Sequence, residues 1–179
     1  MLFEYLTMSD KLTLEIHDLE TDKAMADHYG IVQTPAIALA RRGEKDLGIR
    51  YFGIPAGYEF TSLIQDILMI GSGDSGLSVA TKQWAAELKT PLHLQVFVTP
   101  TCPYCPQAVV LAHRLAMESD LIHADMVEAS EFPELAEKYD VMGVPRTVIN
   151  EDFYVEGAVP EGRLLTKLKE AVAAVPAQA

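Results

Sequence analysis

Apolar and polar positions between residues 94 and 175 change their period several times, and each change predicts an element. "LQVFV" and "LIHADMV" are short apolar runs that favour buried strands, and two further strands follow in "VPRTVIN" and "FYVEGAV". "QAVVLAHRLAMES" and "SEFPELAEKY" predict helices between them. A last helix is predicted in "PEGRLLTKLKEAVAAV", where apolar residues recur at helical spacing at Leu164, Leu165, Leu168 and Val172. The predicted order is β-α-β-α-β-β-α, which is an α/β fold.

The first half of the chain repeats this pattern at a fixed offset. "HYGIVQTPAIAL" resembles "KYDVMGVPRTVI", and their prolines, Pro35 and Pro145, lie 145 − 35 = 110 residues apart. In both copies a strand hairpin and a helix follow the proline; in the first copy these are "GIRYFGI" and "GYEFTSLIQDILMI". We therefore predict two related units, residues 1–73 and 74–179, that meet around the small-residue connector "GSGDSGLS".

The same offset predicts that the first unit is truncated. The chain has two cysteines, Cys102 and Cys105, and their counterparts would fall before residue 1, because 102 − 110 = −8 and 105 − 110 = −5. The first unit is therefore expected to lack its first strand and a cysteine pair of its own.

Composition and charge narrow the classes of partner. The 179 residues are 49% hydrophobic and 22% charged, with a net charge of −12. This is an ordinary globular composition, and its acidity disfavours nucleic acid as a partner. No apolar run approaches the roughly 18 residues of a membrane span, and the N-terminal segment does not resemble a signal peptide. We expect a cytoplasmic protein that binds neither membrane nor nucleic acid.

The spacing of the two cysteines leaves three kinds of site to weigh. A zinc site needs two further ligands, and none of the five histidines is paired at a spacing usual for zinc. A structural disulfide over so short a loop would stabilise the fold by roughly 2 kcal/mol, which is a small gain. A redox pair explains more, because the cysteines follow a predicted strand and open a predicted helix.

The residues around the pair predict how it would react. Thr101 or Cys102 is expected to cap the helix, with Pro103 at its first position. A helix N-terminus stabilises an anion, which lowers the pKa of a thiol there and supplies thiolate near neutral pH. We predict that Cys102 is the exposed nucleophile, which forms a mixed disulfide with the substrate, and that Cys105 then resolves it.

A strand followed by CPYC and a helix, with "GVPRTV" about 40 residues later, resembles the thioredoxin superfamily. Nearly the whole chain is similar to the protein disulfide oxidoreductases of thermophilic bacteria and archaea, which resemble two fused glutaredoxin-like units. "VFVTPTCPYCP", "ADMVEA", "YFGIPAGYEF" and "EGAVPE" carry this similarity. The resemblance implies two thioredoxin-like units, of which the first is redox-inactive, and a thiol–disulfide oxidoreductase. It implies protein disulfides as substrates, electrons from a thioredoxin-reductase-like flavoprotein or a small thiol, and neither metal nor organic cofactor.

The resemblance also assigns a role to the prolines that precede the third strand of each unit. Val144–Pro145 is expected to be a cis peptide beside the cysteine pair, which presents the Val144 backbone to an extended substrate segment. Thr34–Pro35 is expected to have the same geometry but only a structural role.

Further site residues follow from position and from one departure from the family pattern. Thr101, Pro103 and Tyr104 are expected to line the site. Thioredoxins place a buried acid six residues before the first cysteine, and this chain has Val96 there. Another group, or none, must therefore assist proton transfer to Cys105.

The first strand is central in thioredoxin-like sheets, so its loss from the first unit should leave an apolar gap and an unpaired strand edge. We expect the gap to be closed by re-pairing of the remaining strands or by a second chain, which would make the protein a homo-oligomer through the truncated unit.

Three other interpretations complete the set of hypotheses. The rival to an oxidoreductase is a redox-inactive binding or assembly module, in which the CPYC is incidental. His113, more than two helical turns from Cys102, is expected to be a surface or packing residue rather than a base. The string at residues 71–76 matches G-x-G-x-x-G, but a predicted helix rather than a strand precedes it, so a dinucleotide site is rejected.

Overall fold

Six strands form one mixed sheet in the computed structural model, which describes residues 9–43 and 45–174. The spatial order is β1-β2-β4-β3-β5-β6. The strands are β1 Ala36–Leu39, β2 Ile49–Phe52, β3 Leu92–Val98, β4 Ile122–Glu128, β5 Arg146–Ile149 and β6 Phe153–Glu156. Both β2 and β3 run parallel to β4, whereas β5 runs antiparallel to β3. The strand pair of the predicted first unit thus continues the sheet of the second.

Six helices accompany the sheet in the described residues. They are α1 Lys23–His28, α2 Glu59–Ser72, α3 Val79–Ala86, α4 Cys105–Glu118, α5 Pro133–Lys138 and α6 Glu161–Ala174. The predicted α/β thioredoxin-like fold is confirmed, with β3-α4-β4-α5-β5-β6-α6 in the predicted order. None of the helices in the described residues has both the length and the apolar character that crossing a membrane requires.

The core lies under α4, which packs on β3 and β4 and against α2. One face of the sheet is apolar and closed to solvent here, with Tyr51, Leu94, Val96, Ala124 and Met126 fully buried. Parallel strands buried in this way read as continuous apolar runs, which is why "LQVFV" was recognisable as a strand.

By contacts, the chain divides into Met1–Thr34 and Pro35–Ala179. The predicted boundary after residue 73 rests instead on the internal repeat and stays a prediction. Residues 12–18, the counterparts of β4 at the offset of 110, form no strand. Without a central strand beside them, these residues lack a ladder partner.

Strand β1 has a strand neighbour on one side only, where it pairs with β2. Re-pairing of the remaining strands across the gap is therefore not found among the described residues. Closure by a second chain stays a prediction. Leu2, Phe3, Tyr5 and Leu6, which were expected to cover this gap, lie outside the described residues.

Candidate active site

The two cysteines lie at the end of the central strand β3, where a turn leads into α4. A disulfide joins Cys102 to Cys105, with 5.5 Å between the Cα atoms. The Cys102 N–H donates to the carbonyl oxygen of Thr99 at 3.1 Å, which holds the turn. The exposed fraction is 8% for Cys102 and 0% for Cys105. Cys102 is less exposed than expected, yet it is the sulfur that an incoming group reaches first.

The helix starts later than predicted. It begins at Cys105, with Tyr104 in the cap position, no side-chain cap, and Pro106 in the first turn. The expected cap by Thr101 or Cys102, and the expected first position of Pro103, are wrong, because residues 100–104 form turns instead. Since the disulfide ties Cys102 to the first residue of α4, both sulfurs still lie at the N-terminal end of the helix, where a thiolate is stabilised.

The remaining predicted site residues surround this turn. Thr101, Pro103 and Tyr104 are all exposed, Tyr104 by 66%. Pro145 is buried and directly precedes β5, whose Arg146 pairs with Phe97 of β3. Pro145 and the cysteine turn therefore share one edge of the sheet.

The prolines differ between the two copies. Val144–Pro145 is cis, as predicted, and Val144 is partly exposed. Thr34–Pro35 is not among the cis peptides of the described residues, so the prediction of equal geometry is wrong. The repeat has kept the proline but not the cysteine turn that accompanies it in the second copy.

The start of α2 lies against the cysteine turn. The Tyr58 N–H donates to the Pro100 carbonyl at 3.0 Å. Gly57 comes so close that an added Cβ would lie 2.2 Å from the Pro100 oxygen, and its φ of +59° also favours glycine. This contact places the next residue of α2, Glu59, near the site.

Glu59 is a buried acid that the sequence analysis missed. Its side chain is 1% exposed, and Oε2 accepts a hydrogen bond from Ser62 Oγ at 2.7 Å. Oε1 has no hydrogen-bond partner among the described residues. Burial raises the pKa of Glu59 to about 7, although Ser62 and the charge of His113 oppose the rise.

A second contact shows that Glu59 is level with Cys105. Helices α2 and α4 pack together, and Asp66 Oδ2 lies 2.5 Å from His113 Nδ1. Because α2 also touches the turn before α4, the two helices run in the same direction. Seven residues back from this pair, about 10 Å along each axis, are Glu59 (66 − 7) and Pro106 (113 − 7), the neighbour of Cys105.

The signal for Glu59 was present in the sequence but on another element. The acid was sought at Val96 on β3, which is fully buried. In α2, Glu59, Ser62 and Asp66 recur at a spacing of three and four residues, so they form a polar stripe on a helix whose neighbouring positions are apolar. His113 was expected at the surface or in packing; it is fully buried and paired with Asp66.

Comparisons with known proteins agree with this geometry. Residues 92–170 match the sequence profile of the thioredoxin domain family. A protein disulfide oxidoreductase from Aeropyrum pernix has a similar structure, with 35% identity and a TM-score of 0.80 over 87% of this chain and 67% of that one. The NTD_N/C domain of the alkyl hydroperoxide reductase AhpF from Enterococcus faecalis has 30% identity and a TM-score of 0.85 over 96% of this chain and 80% of that one.

Curated relatives are longer than this chain. The alkyl hydroperoxide reductase AhpF of Pseudomonas aeruginosa is 25% identical over 178 residues, which are 99% of this chain and 32% of that protein. The chain spans about a third of the length of the curated relatives that it matches. The chain belongs to the thioredoxin superfamily and has the fold of its disulfide oxidoreductases, with Cys102 and Cys105 at the start of α4.

Proposed function

We propose that the protein is a thiol–disulfide oxidoreductase that acts on protein disulfides through Cys102 and Cys105. The observation that carries the proposal is the Cys102–Cys105 disulfide at the start of α4, with Cys102 the more accessible sulfur. Thr101, Pro103, Tyr104, Val144 and Pro145 are proposed to receive the substrate; they lie around that sulfur or at the same sheet edge.

In the reducing direction, the reaction begins with the Cys102 thiolate. It attacks one sulfur of the substrate disulfide, so that a Cys102–substrate disulfide forms and the first substrate thiolate leaves. The Cys105 thiol loses its proton and attacks the Cys102 sulfur. The Cys102–Cys105 disulfide forms, the second substrate thiolate leaves, and two electrons have passed to the substrate. Oxidation uses the same steps in reverse.

Glu59 is proposed to accept the proton that Cys105 loses. A fully buried thiol has no water to take its proton, and Glu59 is the buried carboxyl level with it. A pKa of about 7 makes this carboxyl a base that changes its protonation state near neutral pH. Glu59 thus fills, from a different helix, the role for which Val96 is unsuited.

The relatives support a proposal for the partners. Several of them carry the name alkyl hydroperoxide reductase. We therefore place the substrate disulfide on a peroxide-reducing protein, and a thioredoxin-reductase-like flavoprotein or a small thiol as the donor that reduces Cys102–Cys105 again.

Replacement of Cys102 separates this proposal from a redox-inactive binding module. With insulin disulfides as substrate and dithiothreitol as donor, Cys102→Ser should reduce turnover to the uncatalysed rate. Cys105→Ser should still form a mixed disulfide, which mass spectrometry detects, but should not release it. Turnover by Cys102→Ser equal to that of the unaltered protein would overturn the proposal.

A further inference from the structure

A second group of buried titratable residues lies behind the cysteine turn, between α2, α4 and β2. Asp66 Oδ2 accepts hydrogen bonds from the Tyr51 hydroxyl and from His113 Nδ1. All three side chains are fully buried. The Tyr51 ring also packs edge-on against the His113 ring, with 5.1 Å between their centres. The proposed reaction uses none of these three residues, so their purpose needs another explanation.

This group is connected to Glu59. Ser62 donates to Glu59 Oε2 and also hydrogen-bonds with Tyr51, whose hydroxyl binds Asp66. The groups that face Glu59 are Asp66 on its own helix, His113 on α4, and Tyr51 on β2. Cys105, level with Glu59, begins α4. One carboxylate and one imidazole therefore share a solvent-free space with the proposed base.

The atoms without hydrogen bonds indicate how charge is distributed in this space. Glu59 Oε1, Asp66 Oδ1 and His113 Nε2 have no partner among the described residues. A neutral imidazole that donates through Nδ1 would make Nε2 a third unsatisfied acceptor, beside two carboxyl groups and no cation. A protonated imidazole instead balances the Asp66 charge and leaves a donor among acceptors.

We propose that His113 is held as a cation by Asp66 and acts as a positioning residue for Glu59, keeping that carboxyl able to ionise near neutral pH and so to accept the Cys105 proton. The inference rests on the proposed function and adds the regulation of its base. In the unaltered protein Glu59 faces an Asp66–His113 pair with no net charge. Without the imidazole it faces the Asp66 carboxylate alone.

Two variants test this arrangement in the full chain. The turnover assay with insulin and dithiothreitol is followed from pH 5.5 to pH 9. His113→Gln leaves Asp66 uncompensated, so the half-maximal pH should move upward by about one unit, as for one charge at roughly 10 Å and an effective dielectric constant of about 20. Adding Asp66→Asn to His113→Gln removes the uncompensated charge, so the half-maximal pH should return towards that of the unaltered protein.

The return in the double variant is what a merely structural pair would not produce. Equal half-maximal pH in all three proteins, or a larger displacement in the double variant, would overturn the proposal. A fully active Cys102→Ser would instead overturn the proposed function, so the two failures are distinguishable.

A spectroscopic measurement keeps the proposal testable when His113→Gln does not fold. In the unaltered oxidised protein labelled with ¹⁵N-histidine, the His113 ring should show both nitrogens protonated at pH 6. A neutral His113 ring at pH 6 would overturn the proposal without any variant.

Discussion

Helices α2 and α6 follow the strand hairpins of the two repeats, and they differ where they face the core. Both have 14 residues and both begin with glutamate. The fourth and eighth residues are buried in each, but they are Ser62 and Asp66 in α2 and Leu164 and Leu168 in α6. The helix beside the cysteine turn thus buries polar groups where its counterpart buries leucines.

The first glutamates of the two helices show the same contrast. Burial raises the pKa of Glu59 to about 7. Glu161 accepts hydrogen bonds from Ser78 and Thr81, and these lower its pKa. Buried polar groups destabilise a fold unless they are fully paired, and Glu59 is not. We infer that α2 retains them for the chemistry of the site, whereas Glu161 holds the start of α3 and α6 together.

The largest expected effect is on the rate. Glu59→Gln should lower turnover about 100-fold, because the Cys105 proton loses its acceptor. Glu161→Gln is the matched control at the same helix position and should leave the rate unchanged. The unaltered protein should speed up as pH rises through about 7, since only the ionised Glu59 accepts a proton, and Glu59→Gln should lose this inflection. Turnover assays across pH decide; equal effects of the two glutamines would remove Glu59 from the mechanism.

The second effect is on stability and exchanges the eighth residues of the helices. Leu168→Asp places a carboxylate in a core without a cation and should cost about 3–5 kcal/mol of unfolding free energy. Asp66→Leu combined with His113→Leu removes both members of the buried pair and should change stability by at most about 1 kcal/mol, or increase it. Urea unfolding measures both. A double leucine variant as unstable as Leu168→Asp would show that the pair is needed for folding.

The third effect is a pH dependence of stability. Because folding raises the pKa of Glu59 from 4.5 to about 7, its stabilising contribution is complete below pH 4.5 and is lost as pH rises to 7. The loss corresponds to 7 − 4.5 = 2.5 pH units, or about 3 kcal/mol. Glu161 has the opposite sign, since its lowered pKa gives stability above pH 4.5 that is lost in more acid solution.

Urea unfolding at pH 5 and pH 7.5 measures this difference between the glutamates. Glu59→Gln should remove most of the decline between the two pH values, whereas Glu161→Gln should preserve it. A decline that persists in Glu59→Gln would assign it to another group.

The smallest effect compares two glycines next to the starts of these helices. Gly57→Ala forces a side chain against the Pro100 oxygen at a positive φ and should cost at least about 1–2 kcal/mol. Gly162→Ala, in the first turn of α6, meets open space and should stabilise the fold by about 0.4–1 kcal/mol. Thermal unfolding shows the sign of each; a stabilising Gly57→Ala would mean that α2 does not press against the cysteine turn.

The sequence predicted the parts of the fold that depend on local pattern. The strand before Cys102, the amphipathic helix around Leu168 and the cis Val144–Pro145 all have local signals or belong to the family motif. Those parts that depend on distant partners were missed. Residues 12–18 repeat the pattern of β4 but form no strand, because nothing in the described residues pairs with them.

The buried acid was missed for the same reason. Glu59 and Asp66 reach α4 because β2 pairs in parallel with β4, 75 residues away at Arg50 and Asp125. No periodicity in the sequence announces that pairing. The start of α4 was misplaced by two residues because capping rules favoured Thr101 and Pro103, whereas the turn held by Cys102 and Thr99 delays the helix.

A redox titration of Cys102–Cys105 tests the central claim most directly. The protein would be equilibrated in thiol/disulfide buffers of known potential, and the free thiols would be labelled and counted by mass. We predict one reversible two-electron transition between about −120 and −270 mV, the range of catalytic dithiols. A disulfide that persists below about −300 mV, or a pair that never oxidises, would contradict the account and leave the cysteines a structural role.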